Sequence, residues 1–362
     1  MALIVAGAIQ SNINFRNIII NGDMSIAQRS TSASSITSSG YHSCDRWQLS
    51  VGNMGTWTQS QSTDVPTGQG FAKSTKLDCT TADASPASGD VLVFAQYIEG
   101  QNLQYLKKGT SSAESLTCSF WVKSNKTGTY ILELKDDNNR TINKSYTVSS
   151  ADTWEKKTIT YDGDTTGTID NDNTTGLELN FWLGAGSDLT SGTLQTSWGS
   201  KVNANRAVGN VNLADSTSNE WYITGVQLEA SDTASNFEHL PFDVTLDRCK
   251  RYFQKTYPLI NSPGADTDDG MVFNRINGQF SNKPYPARFE KEVRIHTPTI
   301  TVYSKTGTSG SVSNFGTGVG HSSNDAINTI YNIGSTGFGY ISGHGGTAGQ
   351  GFGLHYTVDA EL

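Results

Sequence analysis

Short segments in which apolar and polar residues alternate dominate the first two thirds of the chain. Seven of them, separated by clusters of Gly, Asn, Asp and Ser, span residues 73–79, 91–98, 116–122, 130–134, 158–161, 177–183 and 221–228. Apolar runs at 17–22 and 46–49 predict two further strands, while the Ser-rich run 30–39 predicts a loop and 53–70 a polar connection. Regularly spaced strands without a helical period between them predict an antiparallel β-sandwich. Residues 101–107 fit one turn of helix.

The last of the seven strands contains a slip of phase. Trp221 and Ile223 alternate with polar residues, and the apolar positions resume at Val226 and Leu228 instead of Gly225. Glycine tolerates the backbone that a β-bulge requires. We therefore expect a bulged strand that closes the sandwich.

A helical stripe follows this strand. Asp243 can cap its first turn, and Pro258 prevents its continuation, so the pattern predicts a helix over 243–255. Its apolar residues recur at three- and four-residue steps, at Leu246, Cys249, Tyr252 and Phe253. So short a helix is unstable alone in water. Docking onto the sandwich is therefore favoured over a short trimeric coiled coil, with Arg248, Lys250 and Arg251 on the solvated side.

The last third of the chain changes in character. Residues 258–270 have the composition of a linker, and the Gly-rich remainder alternates at 299–303 and 351–358, which indicates further β-structure. The expected organisation is therefore all-β in four parts. These are an N-terminal docking arm (1–16), a sandwich domain (17–238), a helical hinge (239–257) and a smaller C-terminal β domain (258–362).

The phase of two strands singles out two tryptophans. In strand 116–122 the even positions are apolar and face the core, so Trp121 points to the other face among polar neighbours. In strand 177–183 the odd positions face the core, which turns Trp182 outward. Each strand is thus expected to present one indole on a polar surface.

An aromatic ring flanked by polar side chains suits a sugar, whose C–H face stacks while its hydroxyls form hydrogen bonds. Trp121 and Trp182 are accordingly candidates for glycan binding. The favoured alternative is that these indoles are covered by the N-terminal arm, by the loop carrying Trp57 or by a neighbouring subunit, because large apolar groups on assembling proteins commonly mark contacts. Trp57, expected in a polar loop, and Trp198, in the segment TSWGSK, are further candidates for ligand contact.

An acidic loop offers a candidate metal site. The segment YDGDTTGTIDND places carboxylates at Asp162, Asp164, Asp170 and Asp172. Such oxygens could bind Ca²⁺, although the loop lacks the order of an EF-hand. A solvated turn without metal is the favoured alternative, so a structural calcium is only a candidate cofactor.

Composition narrows the possible partners. The chain has 26 Lys and Arg against 34 Asp and Glu, a net charge of −8, which argues against nucleic acid. No apolar run reaches the length of a membrane span, and the apolar opening MALIVAGAIQ lacks the basic start of a secretory leader. Four widely separated cysteines share no metal-ligand spacing and are expected to remain thiols.

Signatures of catalysis are missing. The sequence contains no GxSxG, no HExxH and no Gly-rich phosphate loop between a strand and a helix, and it shows no repeat typical of a depolymerising β-helix. Four of the six histidines fall in the last third without alternating spacing. We therefore expect a protein that is not an enzyme.

Several stretches occur together in a recognisable order. They are NIIINGDMSIAQRST with YHSCDRWQLS, then FAQYIEG with SLTCSFWVKS, then WYITGVQLE with FEHLPF and RCKRYF, and finally HYTVDAEL. The set resembles the shared module of tailed-bacteriophage virion proteins, especially tail fibres and other appendages that contact the host.

The resemblance implies a more specific picture. It implies that the sandwich is a jelly roll similar to cellulose-binding and xylan-binding modules, and that the C-terminal domain forms a homotrimer. The expected role is a tail fibre that recognises host surface glycans, assembled in the bacterial cytoplasm and located on the virion beside other virion proteins. A capsid decoration or head-fibre protein, or a structural tail component without receptor binding, is the alternative.

Overall fold

The computed structural model of the protein describes residues 15–275, 282–315, 321–342 and 351–362. The expected N-terminal arm therefore lies outside the described residues, apart from Phe15 and Arg16. Strands make up most of the secondary structure in the described part, which confirms the predicted all-β class.

The N-terminal part is a sandwich of antiparallel strands. Its described strands are β1 (Ser32–Gly40), β2 (Gln48–Ser62), β3 (Ser74–Thr81), β4 (Val91–Glu99), β5 (Leu116–Ser124), β6 (Gly128–Asp136), β7 (Arg140–Val148), β8 (Glu155–Tyr161), β9 (Thr175–Ala185), β10 (Gly199–Ser200) and β11 (Glu220–Ala230). They pair in the order β10-β7-β6-β9-β4-β2-β3-β11-β5-β8, with β1 alongside β2. Strand β2 pairs with β4 over 48–52 and with β3 over 56–62, so it belongs to both layers. We call the layer from β10 to β4 the first sheet and the layer from β3 to β8 the second sheet.

Aromatic rings fill the space between the two sheets. Trp47 stacks on Phe94 of the first sheet with ring centroids 4.9 Å apart, and Phe94 meets Trp221 of the second sheet at 5.6 Å. Phe120 and Phe181 make a similar contact between the sheets at 5.0 Å. All five rings are fully buried, and such large surfaces dominate the energetics of a core.

Three sequence predictions in this part are wrong. The Ser-rich run 30–39 forms most of β1. Only Ile36 of this strand is buried, so its sequence lacks the alternation of apolar and polar residues that would predict a strand. The stretch 53–70 contributes the second half of β2 instead of a polar connection. Segment 17–22 is buried but is not a strand, because the Asn17 side chain accepts hydrogen bonds from the backbone N–H groups of Ile19 and Leu228.

Two further elements differ from the sequence predictions. Strand β7 was not predicted. Residues 101–107, predicted as one turn of helix, form parts of two short 3-10 turns at Gly100–Asn102 and Gln104–Leu106.

The predicted bulge in the closing strand is confirmed. The register of β11 against β5 slips between Thr224 and Gln227, and Gly225 has a φ of +62°. A Cβ at Gly225 would lie 2.5 Å from the Phe71 ring, so the site needs glycine for space as well as for conformation.

The described helices are α1 (Ser187–Thr190) and α2 (Phe242–Lys250). Helix α2 ends earlier than predicted, and Pro241 instead of Asp243 occupies its N-cap position. Cys249 and Tyr252 pack against Ile20 and Ile26, so this segment docks onto the sandwich as expected. Arg251 was placed on the solvated side, and that was wrong because its guanidinium pairs with the buried carboxylate of Glu99.

The C-terminal part forms smaller sheets around its own core. Its described strands are β12 (Phe253–Lys255), β13 (Val272–Arg275), β14 (Asn282–Arg288), β15 (Thr299–Tyr303), β16 (Ser311–Phe315), β17 (His321–Ala326), β18 (Thr329–Tyr331), β19 (Gly337–Ser342) and β20 (Gly351–Asp359). Strand β20 is central and pairs with β12, β13, β15 and β16, while β14, β19 and β18 form a separate sheet. Residues 253–255, predicted as helix, therefore extend this second unit.

Ion pairs join the C-terminal strand to the sandwich. Arg29 contacts Asp359 at 2.9 Å and Glu361 at 3.3 Å, and Arg46 also pairs with Glu361. Arg46 is fully buried and lies 3.5 Å above the Tyr252 ring, a cation–π contact. The four cysteines are buried and unpaired, in agreement with the prediction of thiols.

Candidate functional site

Trp182 is on the predicted face of its strand but is not exposed. The odd positions of β9 face the core as expected, yet the Trp182 side chain is only 2% exposed. Leu189 and Ala207 of the following segment pack over it together with Ile131. The prediction of a ligand-accessible ring is therefore wrong, because the chain covers this face of the first sheet with its own residues.

A bidentate ion pair holds in place the segment that packs over Trp182. Arg206 donates to both oxygens of the buried Glu133 carboxylate, at 2.7 and 2.6 Å. The same guanidinium lies 4.9 Å from the Trp182 ring, and the indole N–H of Trp182 donates to Glu133 at 3.3 Å. The ring, the carboxylate and the guanidinium form one structural cluster.

Trp57 is also unavailable to a ligand. It belongs to β2 and is fully buried in the main core, where its indole N–H donates to the carbonyl oxygen of Met54 at 2.8 Å. The prediction placed it in a polar loop because the residues around it are polar. Those neighbours alternate with Trp57 along β2, which is paired with β1 on one side and β3 on the other.

Trp198 is half-buried near the acidic loop. It packs against the main core, its indole N–H donates to the carbonyl oxygen of Asp162 at 2.8 Å, and Lys108 lies 4.5 Å from its ring. One side of the indole is therefore occupied by the chain itself. A ligand contact at Trp198 stays a prediction.

The four acidic residues of the loop do not converge on one point. Among the described residues, no group of three or more His, Cys, Asp or Glu is arranged to hold a metal ion. Asp162, Asp170 and Asp172 are exposed, whereas Asp164 is buried and accepts bonds from Arg140 at 2.8 and 2.9 Å. Burial opposes ionisation of Asp164, but the bonds from Arg140 and the loop backbone hold its pKa well below its usual range. Asp164 therefore forms an ion pair with Arg140.

Trp121 is half-buried on the outer face of the second sheet, as its phase predicts. Thr224 of β11 and Lys156 of β8 lie opposite it in register, and Tyr222 is paired with Lys123 one step along. Residues opposite or diagonal on one face of a sheet are within reach of each other. We call this surface, which also includes Trp154, Lys76, Asp64 and Glu220, the aromatic face.

The second part of the aromatic face centres on Tyr222. Trp154, which immediately precedes β8, lies edge-on to Tyr222 with ring centroids 6.2 Å apart. The Lys123 ammonium lies 4.3 Å from the Tyr222 ring and 5.8 Å from the Trp154 ring. Lys76 approaches Tyr222 from the other side at 5.7 Å. The rings are therefore held in place by cations at the surface.

Carboxylates complete the polar part of this surface. Glu220 accepts from the Tyr222 hydroxyl and from Lys76, both at 2.6 Å. Asp64 accepts from the Trp154 indole at 2.9 Å and also pairs with Lys123. Tyr222 and Trp154 thus lie among donors and acceptors of both charges, and Trp121 is opposite Lys156 on the neighbouring strand.

The charges of the aromatic face are stable at neutral pH. Burial raises the pKa values of Asp64 and Glu220, but hydrogen bonds from Lys123 and Trp154, and from Lys76 and Tyr222, outweigh it and leave both pKa values below normal. Burial and the hydrogen bond to Glu220 raise the pKa of the Tyr222 hydroxyl. Tyr222 therefore remains a neutral donor, and the two carboxylates remain acceptors.

Sequence reasoning missed Tyr222 and Trp154. The signal for Tyr222 was present, because Trp221 and Ile223 face the core and the residue between them must face outward. Trp154 had no such signal, since it stands alone in a polar turn. Its position becomes informative only when the fold brings it to Tyr222.

No helix among the described residues combines the length and the hydrophobicity needed to cross a membrane.

Neither a protein-family model nor a curated protein matches this sequence. Similar solved structures include the enzymatically active domain of tailspike protein 4 from bacteriophage CBA120. It is 14% identical with a TM-score of 0.31, over 59% of this chain and 21% of that one. This chain thus spans about a fifth of the tailspike structure.

Two further similar structures have sugar-related descriptions. A putative sugar binding protein from Bacteroides thetaiotaomicron VPI-5482 is 12% identical over 59% of this chain and 100% of its own, with a TM-score of 0.36. TmCBM61 in complex with β-1,4-galactotriose is 10% identical over 60% of this chain and 99% of its own, with a TM-score of 0.31. At these TM-scores the likenesses decide nothing about ligand or activity, and the all-β class rests on the strands described above.

Proposed function

We propose that this protein is a non-enzymatic structural component of a bacteriophage virion that binds glycans on the host surface, as a tail fibre or related appendage does. The observation that carries the binding role is the aromatic face. Trp121 and Trp154 are half-buried on one outer sheet surface, and the polar groups around Tyr222, which is itself only 8% exposed, lie beside Trp154. Such a surface can stack against sugar rings and bond their hydroxyls at the same time.

The virion role is supported by the order of segments along the chain. The strand with WYITGVQLE, the segment FEHLPF and the residues RCKRYF resemble tailed-phage appendage proteins, and they form the closing strand and the docked helical segment here. We propose that the protein is located on the virion and assembles in the host cytoplasm among other virion proteins.

A homotrimer is part of the proposal. Several large apolar side chains of the C-terminal part are exposed, namely Leu259, Ile260, Phe273 and Tyr331. Ile260, which is 90% exposed, would be buried if these side chains form the contact between subunits. Linking three weak sites would raise the overall affinity for a repetitive polysaccharide by orders of magnitude without any new contact. Light scattering of the purified protein would give its mass directly.

The test of glycan binding compares variants on an array of bacterial surface polysaccharides. Trp121→Ala is expected to weaken binding about three- to tenfold per site, as the loss of one stacked ring should. Phe242→Ala removes a 53% exposed ring outside the aromatic face and is the matched control. Equal binding by wild type and Trp121→Ala, with both folded, would remove the aromatic face from the binding role.

An architectural role is the second candidate. The aromatic face carries charges of both signs, with Lys76 paired to Glu220, Lys123 paired to Asp64, and Lys156 opposite Trp121. Such a surface would also suit a protein interface in a capsid decoration, a head fibre or a tail joint. Labelled antibody imaged on intact particles would separate the two, because a receptor-binding appendage must be at the end of the tail or tail fibre.

A further inference from the structure

A cleft of about 360 Å³ lies where helix α2 meets the sandwich, away from the aromatic face. The end of β4 contributes Tyr97, the 3-10 turns contribute Asn102 and Tyr105, and the helix contributes Arg248. Its volume is in the range of small-molecule sites, which combine aromatic walls with a few polar groups.

Most charged groups that line this cleft are already paired. Arg46 pairs with Glu361, and Arg251 donates to both oxygens of Glu99 at 2.7 and 2.8 Å. The Lys291 ammonium contacts Asp247 at 2.5 Å. These pairs cancel three of the four cations that face the cleft.

The fourth cation is Arg248, which has neither an ion pair nor a side-chain hydrogen bond to any described residue. Its guanidinium lies 5.8 Å from the Phe15 ring, and the side chain is half-buried. Burial lowers the pKa of Arg248, and nearby groups that include the Glu238 carboxylate raise it. Glu238 accepts a hydrogen bond from the backbone N–H of Asn17 at 2.9 Å and acts on Arg248 through its charge and not through a hydrogen bond. The N–H groups of this partly desolvated guanidinium therefore lack an acceptor among the described residues.

The residues that precede Phe15 offer no compensation. The sequence MALIVAGAIQSNIN contains neither Asp nor Glu, so the arm cannot neutralise Arg248 with a side-chain carboxylate. A ligand with a carboxylate could supply the acceptor that no described side chain gives to Arg248.

Aromatic groups occupy the same cleft as the free guanidinium. Burial raises the pKa of the Tyr105 hydroxyl to about 12, and the charge of Arg248 acts against that rise, which places the two groups within electrostatic reach. Tyr97 donates its hydroxyl to Gln48 at 3.2 Å and presents the ring as a fixed wall. A ring-shaped ligand could lie against these tyrosines with its acidic group at Arg248.

We propose that this cleft binds an acidic saccharide, with the carboxylate of a uronic-acid type sugar held by Arg248 and the sugar ring against Tyr97 and Tyr105. Arg–carboxylate bonds are short and directional, and they would select an acidic sugar over a neutral one. The site is separate from the aromatic face and does not depend on glycan binding there.

The test is calorimetric titration of the full-length protein with trigalacturonate, β-1,4-galactotriose and inorganic phosphate. Wild type binds trigalacturonate and not the neutral trisaccharide. Arg248→Gln weakens the acidic ligand about tenfold or more, the usual effect of losing one charged hydrogen bond, and Arg248→Lys recovers part of it. Phosphate that binds as tightly as trigalacturonate would overturn the saccharide assignment.

Two controls separate this site from other effects. Arg288→Gln removes an exposed arginine of the C-terminal part and should leave trigalacturonate binding unchanged. Arg248→Gln should melt close to the wild-type temperature, because among the described residues it loses no hydrogen bond or ion pair and only the 5.8 Å approach to the Phe15 ring. Unchanged trigalacturonate binding by Arg248→Gln, or no binding by wild type, would refute the proposal.

Discussion

Removal of Arg206 is the sharpest test of how the first sheet is covered. The variant Arg206→Ala would leave the Glu133 carboxylate, which has no exposed surface, without its two charged hydrogen bonds. Breaking a buried ion pair by removing one partner costs about 3–5 kcal/mol. The Arg206 side chain itself is 16% exposed, so we expect a value near 3 kcal/mol, at the lower end of that range.

The loss should be visible as a shift in unfolding. For a domain of roughly this size, about 3 kcal/mol corresponds to a lowering of the melting temperature by roughly 6–12 °C. Urea titrations followed by tryptophan fluorescence would measure the free energy of unfolding, and Glu133→Gln would complete a double-mutant cycle. We expect the double variant to be less destabilised than the sum of the singles, since both remove the same pair. The stability of Arg206→Lys should lie between those of wild type and Arg206→Ala, because an ammonium keeps the charge but cannot make the bidentate contact.

The outcome also decides the status of Trp182. If Arg206→Ala costs less than about 1 kcal/mol, the ion pair is no stronger than an ordinary surface pair. The segment over Trp182 would then be loosely held, and the reasoning that removes this ring from the candidate site would be refuted.

Two further variants test local features. Gly225→Ala should destabilise the protein by about 1–3 kcal/mol in urea titrations, because it forces a non-glycine residue to a φ of +62° and places a Cβ against Phe71; a neutral effect would contradict the assigned bulge. Asp164→Asn should reduce stability at neutral pH and weaken its acid dependence. The folded-state pKa of Asp164 lies below its unfolded value of about 3.9, so its contribution is complete above that pH and is lost as the pH falls through the folded pKa. Urea midpoints between pH 2 and 7 that run parallel for both proteins would show that the Arg140 pair contributes nothing.

The parts of the fold that sequence predicted well are those set by period and by glycine. Alternation correctly gave the core-facing positions of β5 and β9, and the phase slip located the bulge at Gly225. Both signals depend on side-chain direction along a single strand. They are therefore readable without knowing the neighbours of the strand.

The parts that sequence could not give depend on distant segments. Alternation shows that Trp182 leaves the core, but it carries no information about Leu189 and Ala207 folding back over the ring. Strand β1 lacks a buried face of its own and exists because β2 offers free backbone groups. Residues 253–255 continue the helical spacing but pair with β20, since a strand partner some hundred residues away offers a ladder of hydrogen bonds. Of the three rings of the aromatic face only Trp121 was predicted, and Tyr222 and Trp154 were missed.

Oxidative footprinting with and without a bound host polysaccharide is the most direct measurement of the central claim. The account predicts that the polysaccharide slows oxidation of the half-buried Trp121 and Trp154, whereas the exposed Tyr331 of the C-terminal part reacts at the same rate in both states. Bound polysaccharide that protects neither indole would contradict it.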